Sequence, residues 1–204
     1  MYCELITSDG YNNWFITYTF DDEHLPKDYI IELRPMQLLN KKIRKFLSDA
    51  GIEHDFRFLQ QGELGGQTHR PHYHQCAFNL PLNDLIEHPK IEHTTDYKQY
   101  ESPLLTELWG QGNVVIQRLT YANCLYVANH HLDEKIDQET YRDKKNKRTL
   151  IRHPITRKLV DIKTTECRSR SNGIGKKFYE KYLSDIFPHD EMVVNGNKYP
   201  APRS

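Results

Sequence analysis

Two rhythms of hydrophobic and polar residues run along this chain, and they mark out its elements. "WFITYTF" (14–20) is aromatic and β-branched, which predicts a strand. Polar "DDEHLPKD" follows as a loop. Met36, Leu39, Ile43, Phe46 and Leu47 then recur at helical steps, so the spacing predicts an amphipathic helix over 35 to about 49, ended by Gly51. Residues 56–61 read as a second strand, 62–71 as a turn-rich connection and 72–78 as a third strand. Residues 81–102 are acidic and polar without a clear period, and are read as an insertion. A short helix over 104–109, a strand over 113–118 and a helix over 120–132, with Thr120 as its cap, complete the regular part.

The order is strand, helix, strand, strand, helix, strand, helix. Strands joined by a short turn pair antiparallel, while a helical crossover returns the chain alongside. The expected fold class is therefore α+β, with one largely antiparallel central sheet backed by helices. A length of 204 residues fits one domain with room for a small appended part. Mean hydropathy is −0.79, and apolar runs such as "NVVIQ" are far too short to span a bilayer. The N-terminus has neither a basic region nor an apolar stretch of the secretory kind. Cys3, Cys76, Cys124 and Cys167 are scattered without a CxxC pair, as expected of reduced thiols in a cytoplasmic protein.

Net charge is zero, but its distribution is uneven. Residues 142–170 hold eleven Lys or Arg against Asp143, Asp161 and Glu166. Such a stretch is either a solvated basic loop or a contact for a polyanion.

The chemistry gathers in "GELGGQTHRPHYHQCAFNL" (62–80). His72 and His74 are two apart on a strand and so share a face, and a hairpin brings Glu63 of the preceding strand near them. Two imidazoles and a carboxylate suit a divalent cation with positions left open for substrate. An H-x-H pair is equally at home as two half-buried histidines. Downstream, in "TYANCLYVANHHLDEK", Tyr126 and His130 lie four apart on one helical face, flanked by Asn123 and Asn129. A helical tyrosine beside a metal can act as a nucleophile; a helical tyrosine can equally be a packing residue.

Five stretches in order carry a family resemblance: "WFITYTFDDEHLP" (14–26), "GELGGQTHRPHYHQCAFN" (62–79), "LLTELWGQGNVVI" (104–116), "TYANCLYVAN" (120–129) and "SNGIGKKFYEKYLSDIFPHDEMVVNGNKYPAPR" (171–203). The sequence resembles the replication initiator proteins of gokushovirus-like single-stranded DNA phages, within the HUH endonuclease superfamily. The resemblance implies a ferredoxin- or RRM-like palm. It also implies a metal-dependent endonuclease that nicks origin DNA through a 5′-phosphotyrosine, begins rolling-circle replication and rejoins ends. His72 and His74 fall on the metal-binding pair, Glu63 where relatives carry a third ligand, and Tyr126 on the nucleophile, with Mg2+ or Mn2+ as cofactor. His130 stands where family members carry a second tyrosine, so it is a drifted copy, a metal ligand or an acid/base. Lys144, Lys145, Lys147, Arg148, Arg152, Arg168, Arg170, Lys176 and Lys177 are the expected DNA contacts. The implied organisation is an endonuclease core over 1–135, with the insertion at 81–102, and a basic linker and C-terminal segment over 136–204. Implied partners are single-stranded or hairpin origin DNA and a host helicase or polymerase, in the host cytoplasm and away from membranes. Other readings of the same residues are a non-catalytic single-strand binding module, a tyrosine transposase or relaxase, and a water-using phosphodiesterase.

Overall fold

The structure is a computed structural model. It describes residues 2–8, 10–65, 67–88, 98–133, 140–143, 148–153, 155–161, 166–171, 173–186, 189, 191–194 and 196–200. In chain order these form α1 (Tyr2–Thr7), β1 (Trp14–Thr19), α2 (Arg34–Asp49), β2 (Arg57–Leu64), β3 (Pro71–Phe78), β4 (Ile86–Glu87), β5 (Gln99–Glu101), α3 (Pro103–Trp109), β6 (Val114–Arg118) and α4 (Tyr121–Asp133). Then come β7 (Thr140–Asp143), β8 (Arg148–Arg152), β9 (Leu159–Asp161), β10 (Glu166–Arg170), α5 (Lys176–Ile186), β11 (Glu191–Val194) and β12 (Asn197–Pro200).

Alternation along β1 sorts its side chains onto two faces. Trp14, Ile16 and Tyr18 are buried against Met36, Leu39, Ile43 and Leu47 of α2, with Leu105 and Trp109 of α3 beside them. Phe15 points the other way and packs with Leu59, Cys76, Phe78 and, from α4, Cys124 and Val127. The helical stripe expected over 35–49 is therefore real, except that Phe46 is turned outward and 37% exposed. Thr120 does cap α4: its hydroxyl accepts from the Asn123 N–H, while Asn123 Oδ1 accepts from the Thr120 N–H in return.

The main sheet has seven strands in the order β10-β2-β3-β1-β6-β5-β4, and every neighbouring pair is antiparallel. The α+β class with one antiparallel sheet is thus confirmed, with helices on both faces of it. The structure also goes beyond the pattern. Residues 86–87 and 99–101 of the expected insertion extend the sheet at one edge, and residues 166–170 of the basic stretch form the opposite edge, paired with β2. Their short, charged sequences lack the alternation that announces a strand. Backbone pairing with a neighbour supplies what side-chain pattern does not. β7, β8 and β9 form a separate three-stranded sheet, and β11 pairs with β12.

Two features on the α2 side hold β2 and β3 in register. Gln60 and Gln75 are cross-strand partners, and the Gln75 amide donates to Gln60 Oε1 at 3.0 Å and to Asn40 Oδ1 at 2.9 Å. Asn40 Nδ2 donates back to Gln60 Oε1 at 2.8 Å, and the Tyr18 hydroxyl donates to Gln75 Oε1 at 3.0 Å. Burial raises the Tyr18 hydroxyl far above its ordinary pKa, so it stays a donor. The four buried polar groups thereby satisfy one another, and losing any one strands the rest. The second feature is Gly62, which faces Tyr73 across the pair. A Cβ there would stand 2.6 Å from Tyr73 Cε1 and 2.7 Å from Ile31 Cγ2. The glycine that looks like a turn signal in the sequence is a mid-strand residue making room for a ring. Gly62→Ala is expected to destabilise the fold by about 1–3 kcal/mol through overpacking. A lowered midpoint in urea unfolding, with the slope unchanged, is the measurement that checks it.

Candidate metal centre and its tyrosine

The register sets the site. Glu63 stands opposite His72, Gln61 opposite His74, and on the other side of β3 Thr17 stands opposite His74. Alternate residues of a strand share a face, so Glu63, Gln61, His72, His74, Thr17 and Phe15 all project towards α4. Strand β2 therefore reaches past Glu63 instead of stopping at Gln61, and the connection to β3 is shorter than the sequence suggests.

His72 Nε2 lies 3.2 Å from Glu63 Oε1, His74 Nε2 lies 3.3 Å from the same oxygen, and the two Nε2 atoms are 3.1 Å apart. Among the described residues this is the one cluster of three His, Cys, Asp or Glu side chains whose donor atoms lie within 4.8 Å of one another. Adjacent ligands of a cation bound at about 2.1 Å stand about 3.0–3.4 Å apart, and these separations match. The outer nitrogens are engaged too. His72 Nδ1 lies 3.2 Å from the Arg70 carbonyl oxygen, which can only accept, so Nδ1 carries the proton and Nε2 is left bare. His74 Nδ1 is 3.0 Å from Thr17 Oγ1, which can take its proton in the same way. Gln61, 3% exposed, donates its amide to Glu63 Oε2 at 3.3 Å and leaves Oε1 for the centre. The Phe15 ring stacks on His74 with centroids 5.2 Å apart and an interplanar angle of 13°, fixing the imidazole plane. The donor set and its supports fit a divalent cation.

Tyr126 enters from α4. Its hydroxyl donates to Glu63 Oε1 at 2.9 Å, and its ring meets the His74 and Phe15 rings edge-on at 5.3 Å and 6.3 Å. Glu63 is 5% exposed whereas Tyr126 is 39% exposed, so the carboxylate is sunk and the tyrosine stands at the lip. Behind the site, a hydrogen bond with Cys124 and then burial push the Cys76 thiol up, so it remains a neutral thiol rather than a competing ligand.

The remaining expected site residues fall elsewhere. His130 is in the last turns of α4, and its side chain lies outside the described residues, as do Lys144, Lys145 and Lys147 and the side chains of Arg148 and Arg168. By register Arg168 pairs with Gln61 and Arg170 with Leu59, in the strand next to the one carrying Glu63. Arg152 donates to the Arg157 carbonyl at 2.9 Å. On α5, Lys177 pairs with Asp55 at 2.6 Å and Lys176 with Glu180 at 3.5 Å. Sequence reasoning missed Gln61 and the role of Thr17. Gln61 could have been found by parity, two residues from Glu63; Thr17 becomes visible through strand register alone.

Fold and site together define an α+β protein with a ready-made cation triad and a tyrosine reaching into it. The chain belongs to the phage replication-associated protein ORF2 family, whose model matches residues 13–135. This bears out the resemblance seen in the sequence. Three relatives align along nearly all of it. Replication-associated protein ORF2 of Spiroplasma virus 4 is 29% identical over 95% of this chain and 55% of its own length. Replication-associated protein VP4 of Bdellovibrio phage phiMH2K is 30% identical over 94% of this chain and 56% of its own. Replication-associated protein ORF4 of Chlamydia phage 1 is 25% identical over 94% and 44%. The chain thus spans about half the length of the curated relatives it matches. No solved structure matches it.

Because Thr17 Oγ1 holds the outer nitrogen of a ligand, Thr17→Val is expected to weaken Mn2+ binding by about 10- to 100-fold, whereas Thr17→Ser keeps it near wild type. Titration followed by Mn2+ electron paramagnetic resonance reads the difference.

Proposed function

We propose that this chain carries the nicking activity of a phage replication initiator, cutting one strand of single-stranded or hairpin origin DNA through a covalent tyrosyl intermediate. The observation that carries the reading is the hydrogen bond from the Tyr126 hydroxyl to Glu63 Oε1, the oxygen that both histidine Nε2 atoms also face. A packing tyrosine has no need to reach this cluster.

In this reading His72, His74 and Glu63 hold Mg2+ or Mn2+, which when bound supplies Lewis-acid polarisation of a phosphate oxygen. The contact to Glu63 aims the hydroxyl proton at the carboxylate and leaves an oxygen lone pair of Tyr126 for phosphorus. A bond forms between Tyr126 Oη and phosphorus while the bond from phosphorus to the 3′ oxygen breaks. The DNA 5′ end stays on the protein, and the proton lost by tyrosine reappears on the released 3′-hydroxyl. Because one phosphodiester replaces another, a later 3′-hydroxyl can reverse the step and rejoin the ends. The free 3′ end is the primer that a host helicase and polymerase would extend, in the host cytoplasm. No described helix is long and apolar enough to cross a membrane.

His130 lies one helical turn beyond Tyr126, and it is assigned either to protonating the leaving oxygen or to the metal. Arg168 and Arg170 of the edge strand next to β2 are assigned to the DNA backbone, with the rest of the basic segment over 136–204 as further contacts. Those contacts make binding fall steeply with salt.

A denaturing gel of the protein with labelled single-stranded origin DNA tests the reading. Wild type with Mn2+ is expected to give a slow protein–DNA band that a chelator removes. Tyr126→Phe is expected to abolish the band while changing DNA affinity less than about twofold. His72→Ala is expected to lose cleavage at every metal concentration. Binding without any adduct would sink the nickase reading in favour of a single-strand binding module. Cutting without attachment would indicate water as the nucleophile.

A further inference from the structure

The two long helices on the sheet's faces present different outer surfaces. On α2 the outward positions include Arg34, Gln37, Lys41, Lys42, Lys45 and Asp49, all exposed, as expected of a helix that meets water. On α4 no charged residue occurs from Tyr121 to Leu132. Its outward side chains include Tyr121, Leu125 and Tyr126, which are 39%, 40% and 39% exposed, and Ala122 between them. Cys124 and Val127 bury the opposite side of the same helix. An uncharged, aromatic-rich outer face is an anomaly for a surface helix, and such patches mark binding sites.

We propose that the outer face of α4 is a base-stacking track for single-stranded DNA, with the nucleotides next to the attacked phosphate laid against Leu125 and Tyr121. This rests on the assignment of Tyr126 as the nucleophile. The occupant follows from continuity. A strand whose phosphate reaches the Tyr126 hydroxyl must continue over the surface bordering it. On the sheet side that border is closed by Glu63 and Gln61, 5% and 3% exposed. On the helix side it is open, with Leu125 adjacent in sequence and Tyr121 about 7.5 Å back along the axis. A protein partner seated on the same residues would block the phosphate's approach to a tyrosine that has to stay open. Stacking on such side chains is tolerant of base identity, and it releases no counterions. The track therefore positions the strand near the nick without adding to the salt dependence.

The test uses the full chain in chelator, so that no reaction occurs, with fluorescence anisotropy on two labelled 20-nucleotide probes. One is oligothymidine; the other is a fully abasic strand of the same charge. Wild type is expected to prefer oligothymidine by roughly five- to hundredfold. Tyr121→Ser with Leu125→Ser is expected to erase most of that preference while leaving the salt slope unchanged. Leu125→Trp, which adds stacking area, is expected to tighten oligothymidine binding and keeps the test decisive if the double variant folds poorly. Lys41→Gln, on the opposite helix, is expected to leave the preference intact. Equal binding of both probes by wild type, or an undiminished preference in the folded double variant with no gain from Leu125→Trp, would overturn the track. The adduct assay on the same preparation separates the two readings. Adduct formation with no base preference removes the track alone, whereas no adduct removes the nucleophile assignment on which it rests.

Discussion

The antiparallel register of β2 against β3 is the constraint on which the rest of this face depends. It sets Glu63 across from His72 and Gln61 across from His74, and a slip of one residue would turn the carboxylate to the opposite face of the sheet. The register is enforced from behind. Gln60 and Gln75 are bonded to each other and to Asn40 on the α2 side, and the Tyr73 ring occupies the space that Gly62 leaves empty. Polar satisfaction and ring packing in one layer thus decide where donor atoms meet in the other. A cluster whose donors converge to within 3.1–3.3 Å needs such backing, since the bare nitrogens and the carboxylate repel one another without a cation or a proton between them.

Much of this was legible in the chain, and what was legible had a common cause. His72 and His74 could be paired because strand parity is local, and Glu63 could be joined to them because a hairpin is nearly local. The α2 stripe was readable because 3.6-residue periodicity survives wherever one side of a helix is dry. Phe46 broke the reading because a residue at the margin of the stripe can turn either way. Thr17 could not be read as the partner of His74, since the two are 57 positions apart and meet through pairing alone. β10 was invisible for a related reason: its residues are chosen for charge, and its strand conformation comes from the open hydrogen bonds of β2. Gly62 was legible as an exception but misread as a turn, because sequence shows that a side chain is missing without showing what fills the gap.

The two faces of the sheet divide the labour. The α2 side carries the larger apolar cluster and the buried amide network, and meets water through a charged helix. The α4 side carries a smaller cluster, with the histidines, the carboxylate and the tyrosine at its open end. Stability and chemistry share the strands but use opposite sides of them.

The pairing of β10 with β2 bears on what counts as the smallest intact unit. The family match stops at residue 135, yet the strand carrying Glu63 is completed by residues 166–170, about a hundred positions further on. Glu4, buried near the chain's start, accepts from the Gly175 N–H just ahead of α5, so the beginning of the chain is tied to the same late segment. A fragment ending at the boundary of the match would turn the carboxylate strand into a raw border, its row of N–H and C=O groups open to water or to a neighbouring chain. By sequence the catalytic region looks like the first two-thirds of the polypeptide; as a folded object it closes only when the last third comes back to seal it.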